Sequence, residues 1–185
     1  MVASSYVFCD ASESGFAAVI FSRIIMDDGV CVFLVQARTQ LAPMPTTTKP
    51  LSIPRLELMG CLIGSRLLAS TLKGLRCMVT ATYLWWIKRG NDWSVFVRNW
   101  VAEIQRLTNL KDWRHVPGSL NPVDLASCGC FPSAYVSQKW WEGPPWLLNE
   151  TDWPSLNLQS MKSWSKPRYY IEVLKDAKIL SHEMW

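Results

Sequence analysis

The sequence predicts an α/β domain built on a mixed sheet, and three observations predict it. Three strand-like runs joined by turn chemistry follow one another from the N-terminus. The longest helical pattern carries glycines on a single face, as a helix lying close against a sheet requires. Beyond it, short strand-like and longer helix-like segments alternate. Read in order, the elements run βββαβαα(α)βα, for which a mixed sheet with helices on its faces is the natural packing.

"YVFCD" (Tyr6 to Asp10) is a short β-type run ending in an acid, "ASESG" supplies a turn, and "FAAVIFSRI" (Phe16 to Ile24) reads as the returning strand. "DDG" (Asp27 to Gly29) is a hairpin signal, after which "VCVFLVQAR" (Val30 to Arg38) forms a third strand and completes an antiparallel meander. A Pro/Thr loop then leads to "SIPRLELMGCLIGSRLLASTLKGL" (Ser52 to Leu75), a helix with Ser52 placed to cap it, Pro54 in its first turn and Gly74 near its end. Glu57 shares a face there with Gly60, Cys61 and Gly64, and a backbone approach through those small residues would carry the Glu57 carboxylate to the sheet.

Cys77 to Val79 is a short strand at best, and "TATYLWWIKRG" (Thr80 to Gly90) reads as a helix. A second helix, Asp92 to Leu107, presents Val95, Val97, Val101, Ile104 and Leu107 for packing. Lys111 to Gly129 gives a brief strand, a Pro-Gly turn and a last helix opening near Asn121 or Pro122. The domain is drawn as residues 1–132. A Trp/Pro-rich extension, 133–160, is expected to wrap over it, and 161–185 forms a tail read as a helix.

Composition narrows the function. A chain of 185 residues with almost half of them apolar buries a real core, and it carries eleven Trp. No apolar run approaches the roughly 18 residues of a membrane span, and the N-terminus lacks the pattern of a signal peptide, so an intracellular location is expected. Cys9, Cys31, Cys61, Cys77, Cys128 and Cys130 form no C-x-x-C pair, and two His complete no zinc set; buried free thiols are the reading. The net charge of +4 permits nucleic acid as a partner without requiring it.

Three acids stand where metal-dependent phosphodiester chemistry wants them. Two divalent ions about 3.5–4 Å apart are held only where several carboxylates converge. Asp10 ends the first strand, Glu57 rides the close-packed helix, and Asp124 sits in the last helix. Singly, each has an ordinary structural reading: a solvated turn acid, a first-turn helix acid and a helix-start acid. Lys88, Arg89, Arg98 and Arg106 track phosphates or form a solvated face. Trp85, Trp86, Trp140, Trp141 and Trp146 stack bases or fill the core, and His115 is structural.

The words around these acids resemble a known family. "FCDASESGFAAVIFSR", "LVQARTQLAP", "LSIPRLELMGCLIGSRLL", "VFVRNWVAEIQ", "WRHVPGSLNPVDLASCGC" and "WWEGPPWL" stand in the order found in the Pol polyproteins of BEL/Pao long-terminal-repeat retrotransposons. Residues 6 to 155 are similar to the region after the reverse transcriptase, the Pao retrotransposon peptidase family, which looks like a ribonuclease H domain. The resemblance implies a ribonuclease H-like α/β fold: an antiparallel three-strand meander plus parallel strands, with helices on both faces. It implies Mg²⁺ or Mn²⁺ as cofactor and an RNA–DNA hybrid as substrate. Reverse transcriptase and integrase would be the partners within the parent polyprotein.

Four carboxylates serve such domains. Asp10 matches the first, Glu57 the second and Asp124 the fourth. The third stands in a W-T-D-S word ahead of a helix ending L-x-W-I; counting back from "LWWI" (Leu84 to Ile87) places Val79 there, with the fourth strand truncated. Asp92, the next acid downstream, lies past the helix. Cys128 replaces an Arg of the family's "ASRGC" word. The expectation is an ancestral nuclease whose copy here is inactive. A non-catalytic nucleic-acid-binding or structural remnant is the alternative. An aspartic peptidase is the third reading, but "DAS" replaces the D-T/S-G word and has no second copy.

Overall fold

The computed structural model describes residues 2–44, 51–71, 77–81, 87, 94–137 and 140–154. Five strands form one sheet: β1 (Val2–Ala11), β2 (Gly15–Met26), β3 (Gly29–Leu41), β4 (Cys77–Ala81) and β5 (Trp113–His115), in the order β3-β2-β1-β4-β5. The first three make the predicted antiparallel meander, while β4 runs parallel to both β1 and β5. The helices are α1 (Ile53–Thr71), α2 (Val95–Leu107), α3 (Asp124–Cys128) and α4 (Pro132–Ser137). This is the predicted mixed sheet, an antiparallel three-strand meander continued by parallel strands.

Local chemistry explains the meander. Met26 pairs with Gly29 across the two-residue turn Asp27-Asp28, and Gly29 takes φ 149°, a conformation that favours glycine. Along β1, Val7 and Cys9 face α1 and α2, whereas Tyr6 and Phe8 face the opposite layer; β2 alternates in the same way. Both faces of β1 and β2 are covered, which is why these strands read as near-continuous apolar runs.

Helix α1 lies on β1 and β2 with the glycine face inward, as its spacing predicts. A Cβ at Gly60 would stand 2.9 Å from the Asp10 carbonyl oxygen, and one at Gly64 would collide with Cys9 Sγ. Leu56, Leu58, Leu62 and Leu67 fill that layer with Val97, Val101 and Ile104 of α2 and the fully buried Trp113 of β5. Two expectations change at the ends of elements. The Ser52 carbonyl accepts the first helical bonds, from Arg55 and Leu56, but the Ser52 hydroxyl is buried and caps nothing. Thr80 and Ala81 belong to β4 and not to a helix: pairing with β1 and β5 on both sides, and a bond from Thr80 Oγ1 to the Val7 carbonyl at 3.0 Å, override the local helical pattern.

The opposite face is covered by the chain after β5. Val116, Val123, Ala126, Trp140 and Leu147 are buried against Tyr6, Phe8, Ala17, Val19 and Phe21. Arg23, 5% exposed, fastens the outer part of this layer. Its Nε donates to the Leu147 carbonyl at 3.0 Å, one terminal nitrogen donates to the Leu148 carbonyl at 3.2 Å, and the other reaches Glu150 Oε1 at 3.2 Å. Its guanidinium also lies 5.9 Å from the centre of the Trp153 ring. Glu150 is largely exposed, so the bond to the buried Leu147 carbonyl outweighs the ion pair. The predicted helix in 161–185 and the aromatic pair Trp85 and Trp86 lie outside the described residues.

Alanine at Gly60 would gain about 1 kcal/mol of helix propensity but must displace backbone, an overpacking that costs about 1–3 kcal/mol. Gly60→Ala is therefore expected to be net destabilising in urea denaturation, by about 1–2 kcal/mol. Arg23→Met leaves two carbonyls unpaired and is expected to release the 140–154 segment to limited proteolysis, at a cost of about 2–4 kcal/mol.

Candidate carboxylate site

Asp10 stands one residue from the end of β1, at the edge of the sheet where the parallel strands β4 and β5 also end. In open sheets containing parallel strands, this carboxyl edge is where ligands bind. Its side chain points to the layer containing α3, opposite to Val7 and Cys9. Glu57 arrives from α1 on the other side, brought down by the close approach at Gly60. Both carboxyl groups are 5% exposed.

Burial together has an electrostatic consequence. Desolvation first, and then the neighbouring Asp10, push the Glu57 carboxyl up to about 9; a hydrogen bond from the Ala11 backbone N–H opposes them. Glu57 Oε2 is buried without a hydrogen-bond partner. Two carboxylates so placed cannot both stay ionised at neutral pH unless a cation joins them. In its absence, Glu57 holds a proton.

Asp10 has partners of its own. Ser127 Oγ donates to Asp10 Oδ2 at 2.5 Å, and Asn121 Nδ2 lies 3.4 Å from Oδ1 while donating to the Cys9 carbonyl at 3.0 Å. Sequence reasoning did not single out Asn121 or Ser127. Their signal was the three-residue spacing on either side of Asp124 in "NPVDLAS".

Asp124 opens α3 and is exposed; its Oδ1 accepts from the Cys128 thiol at 3.4 Å. That thiol is itself pushed up by burial. Thus the fold brings Asp10 and Glu57 together and leaves Asp124 on the outer side of Ser127. Among the described residues, no three of His, Cys, Asp and Glu approach closely enough to hold a metal ion. This donor set does not fit a two-ion centre.

The parallel register shows where Val79 stands relative to Asp10. Val79 pairs with Val7, three residues short of Asp10, and is buried in the α1 layer. Ala81, opposite Cys9, is the last paired residue of β4, and the position alongside Asp10 falls outside the described residues. The conclusion about charge is unchanged, because no acid stands between Glu57 and Asp92.

The remaining candidates separate clearly. His115, on β5, is half-buried and its pKa is lowered by desolvation. Trp140 is core, Trp146 packs edge-on to Phe8 and donates to the Leu120 carbonyl at 3.2 Å, and Trp141 is exposed. Arg98 and Arg106 occupy exposed positions of α2. Lys88, Arg89 and Asp92 lie outside the described residues. None of the described helices is long and apolar enough to cross a membrane.

Residues 3–86 match the family model described as Pao retrotransposon-like RNaseH-like domain. No curated protein matches the chain. Among solved structures, RNase H1 from the halophilic archaeon Halobacterium salinarum is similar over 63% of this chain and 86% of its own, at 14% identity and a TM-score of 0.36. The PPX-GPPA enzyme of Aquifex aeolicus is similar over 68% of this chain and 41% of its own, at 12% identity and a TM-score of 0.32.

The Glu57 proton makes stability depend on pH. Between the ordinary carboxyl value of 4.5 and about 9, the unfolded chain has lost this proton and the folded chain keeps it, so stability falls as pH rises through that window. The slope approaches about 1.4 kcal/mol per pH unit. Urea denaturation from pH 5 to pH 9 is expected to show a shallower decline for Glu57→Gln, which should exceed the wild type in stability at pH 8.

Proposed function

On the premise that residues 3–86 carry the Pao retrotransposon-like RNaseH-like pattern, we propose that the chain derives from the ribonuclease H-like part of a retrotransposon Pol polyprotein, and that its own hydrolytic centre is incomplete. The ancestral substrate is the RNA strand of an RNA–DNA hybrid, and the ancestral partners are the reverse transcriptase and integrase parts of the same polyprotein. Asp10, Glu57 and Asp124 are the remnants of the ion-binding set. The observation that carries this reading is the burial of Glu57 against Asp10 at the carboxyl edge of the sheet, with one Glu57 oxygen unpartnered. A buried acid is costly, so its placement beside a second acid is not that of an ordinary helix-surface residue.

The same geometry favours loss of catalysis. In the ancestral site, Mg²⁺ or Mn²⁺ would activate water and stabilise the leaving oxygen. Here the sequence offers no acid between Glu57 and Asp92 to complete a second ion. Binding of nucleic acid without turnover is the second reading, favoured by Arg98 and Arg106 at exposed positions on one helix, eight residues apart.

Incubation with a labelled RNA–DNA hybrid in Mg²⁺ or Mn²⁺ is expected to give no cleavage above that of Asp10→Asn, and calorimetry to detect no pair of tightly bound ions. Metal-dependent cleavage that disappears in Asp10→Asn would overturn the loss of activity. Salt-sensitive hybrid binding weakened by Arg98→Ala and Arg106→Ala would establish the binding reading.

A further inference from the structure

Helix α3 is only five residues long, too short to persist on its own hydrogen bonds. Val123 and Ala126 are buried beneath it and Leu125 packs partly buried beside them, and polar bonds add to this small apolar attachment. Ser127 Oγ donates to Asp10 Oδ2 at 2.5 Å, and the Ser127 carbonyl accepts from Ser12 Oγ at 2.6 Å. Asn121 donates to the Cys9 carbonyl, approaches Asp10 Oδ1, and accepts from the Val123 N–H at 3.3 Å, which sets the entry to the helix. The segment is thus tied to the end of β1 at both its start and its finish, and Asp10 is the group that both ties share.

The two sides depend on each other. A carboxylate buried to this degree is unfavourable without donors, and donors aimed at a charged oxygen make the stronger class of hydrogen bond. Remove either and the other loses a charge-assisted hydrogen bond inside a buried site.

We propose that Asp10, Ser127 and Asn121 form a metal-independent latch that holds α3 against the end of β1, so that Asp10 in this chain serves the fold. The latch goes beyond the nuclease ancestry and does not rest on the presence or loss of hydrolysis. It has a signature opposite to that of a cation site. Carboxylates gathered to be bridged by ions repel one another when the ions are absent, so neutralising one of them, or adding the ion, raises stability. A latch loses stability when its carboxylate is neutralised and is indifferent to the ion.

Thermal unfolding of the full chain separates the two, measured with chelator and with excess Mg²⁺. Asp10→Asn and Ser127→Ala are each expected to lower Tm by about 5 °C. The double variant should fall by less than the sum, because both changes break one interaction. Mg²⁺ should leave the wild-type Tm in place. A rise in Tm from Asp10→Asn or from Mg²⁺, additive losses, or a wild-type Tm in Ser127→Ala would overturn the latch. Should Ser127→Ala fail to fold, Ser127→Cys, a weaker donor of similar size, takes its place: a lowered Tm supports the latch and an unchanged one overturns it. Hybrid cleavage reads the nuclease question separately, so either idea can fail alone.

Discussion

The close approach of α1 to β1 and β2 organises the molecule. It requires glycine at two successive inward positions, because a Cβ at Gly60 would press on the Asp10 carbonyl and one at Gly64 on Cys9 Sγ. Without it the helix would ride farther from the sheet, and Glu57, one turn before Gly60, would lie beyond reach of Asp10. The same contact that packs the core therefore sets the geometry of the acids. Packing and chemistry are here consequences of one backbone distance.

Once two acids are buried side by side, something must balance them. Water is excluded, so the options are a cation, a proton or hydrogen-bond donors. This chain uses the last two: Glu57 keeps a proton, and Asp10 receives Ser127 and Asn121. Those donors come from the segment carrying Asp124, which is itself exposed. The arrangement keeps the outline of a carboxylate cluster while the interactions inside it are those of a folded core.

The opposite face is managed by a single cation. Arg23 stands in the middle of β2, where an apolar residue would continue the run, and it is accommodated because carbonyls of the Trp/Pro-rich segment fold over it. Tyr6, Phe8 and Phe21 then meet Trp153, Trp146 and Trp140 edge to face. Such contacts add to burial and fix direction. This accounts for Trp140, Trp146 and Trp153 as packing residues.

The sequence by itself determined the meander, the Asp-Asp-Gly hairpin and the glycine face of α1 that carries Glu57 toward the sheet. Each of these rests on local spacing, turn chemistry or side-chain size, which act over a few residues. It also determined the lack of an acid between Glu57 and Asp92. Only the tertiary structure decided that Thr80 and Ala81 are strand, because two flanking strands outweigh a local helical preference. Only the parallel register could show that Val79 sits three residues short of Asp10. The roles of Asn121 and Ser127 were also beyond reading from the chain, since a hydrogen bond spanning more than a hundred residues leaves no periodic trace in the sequence.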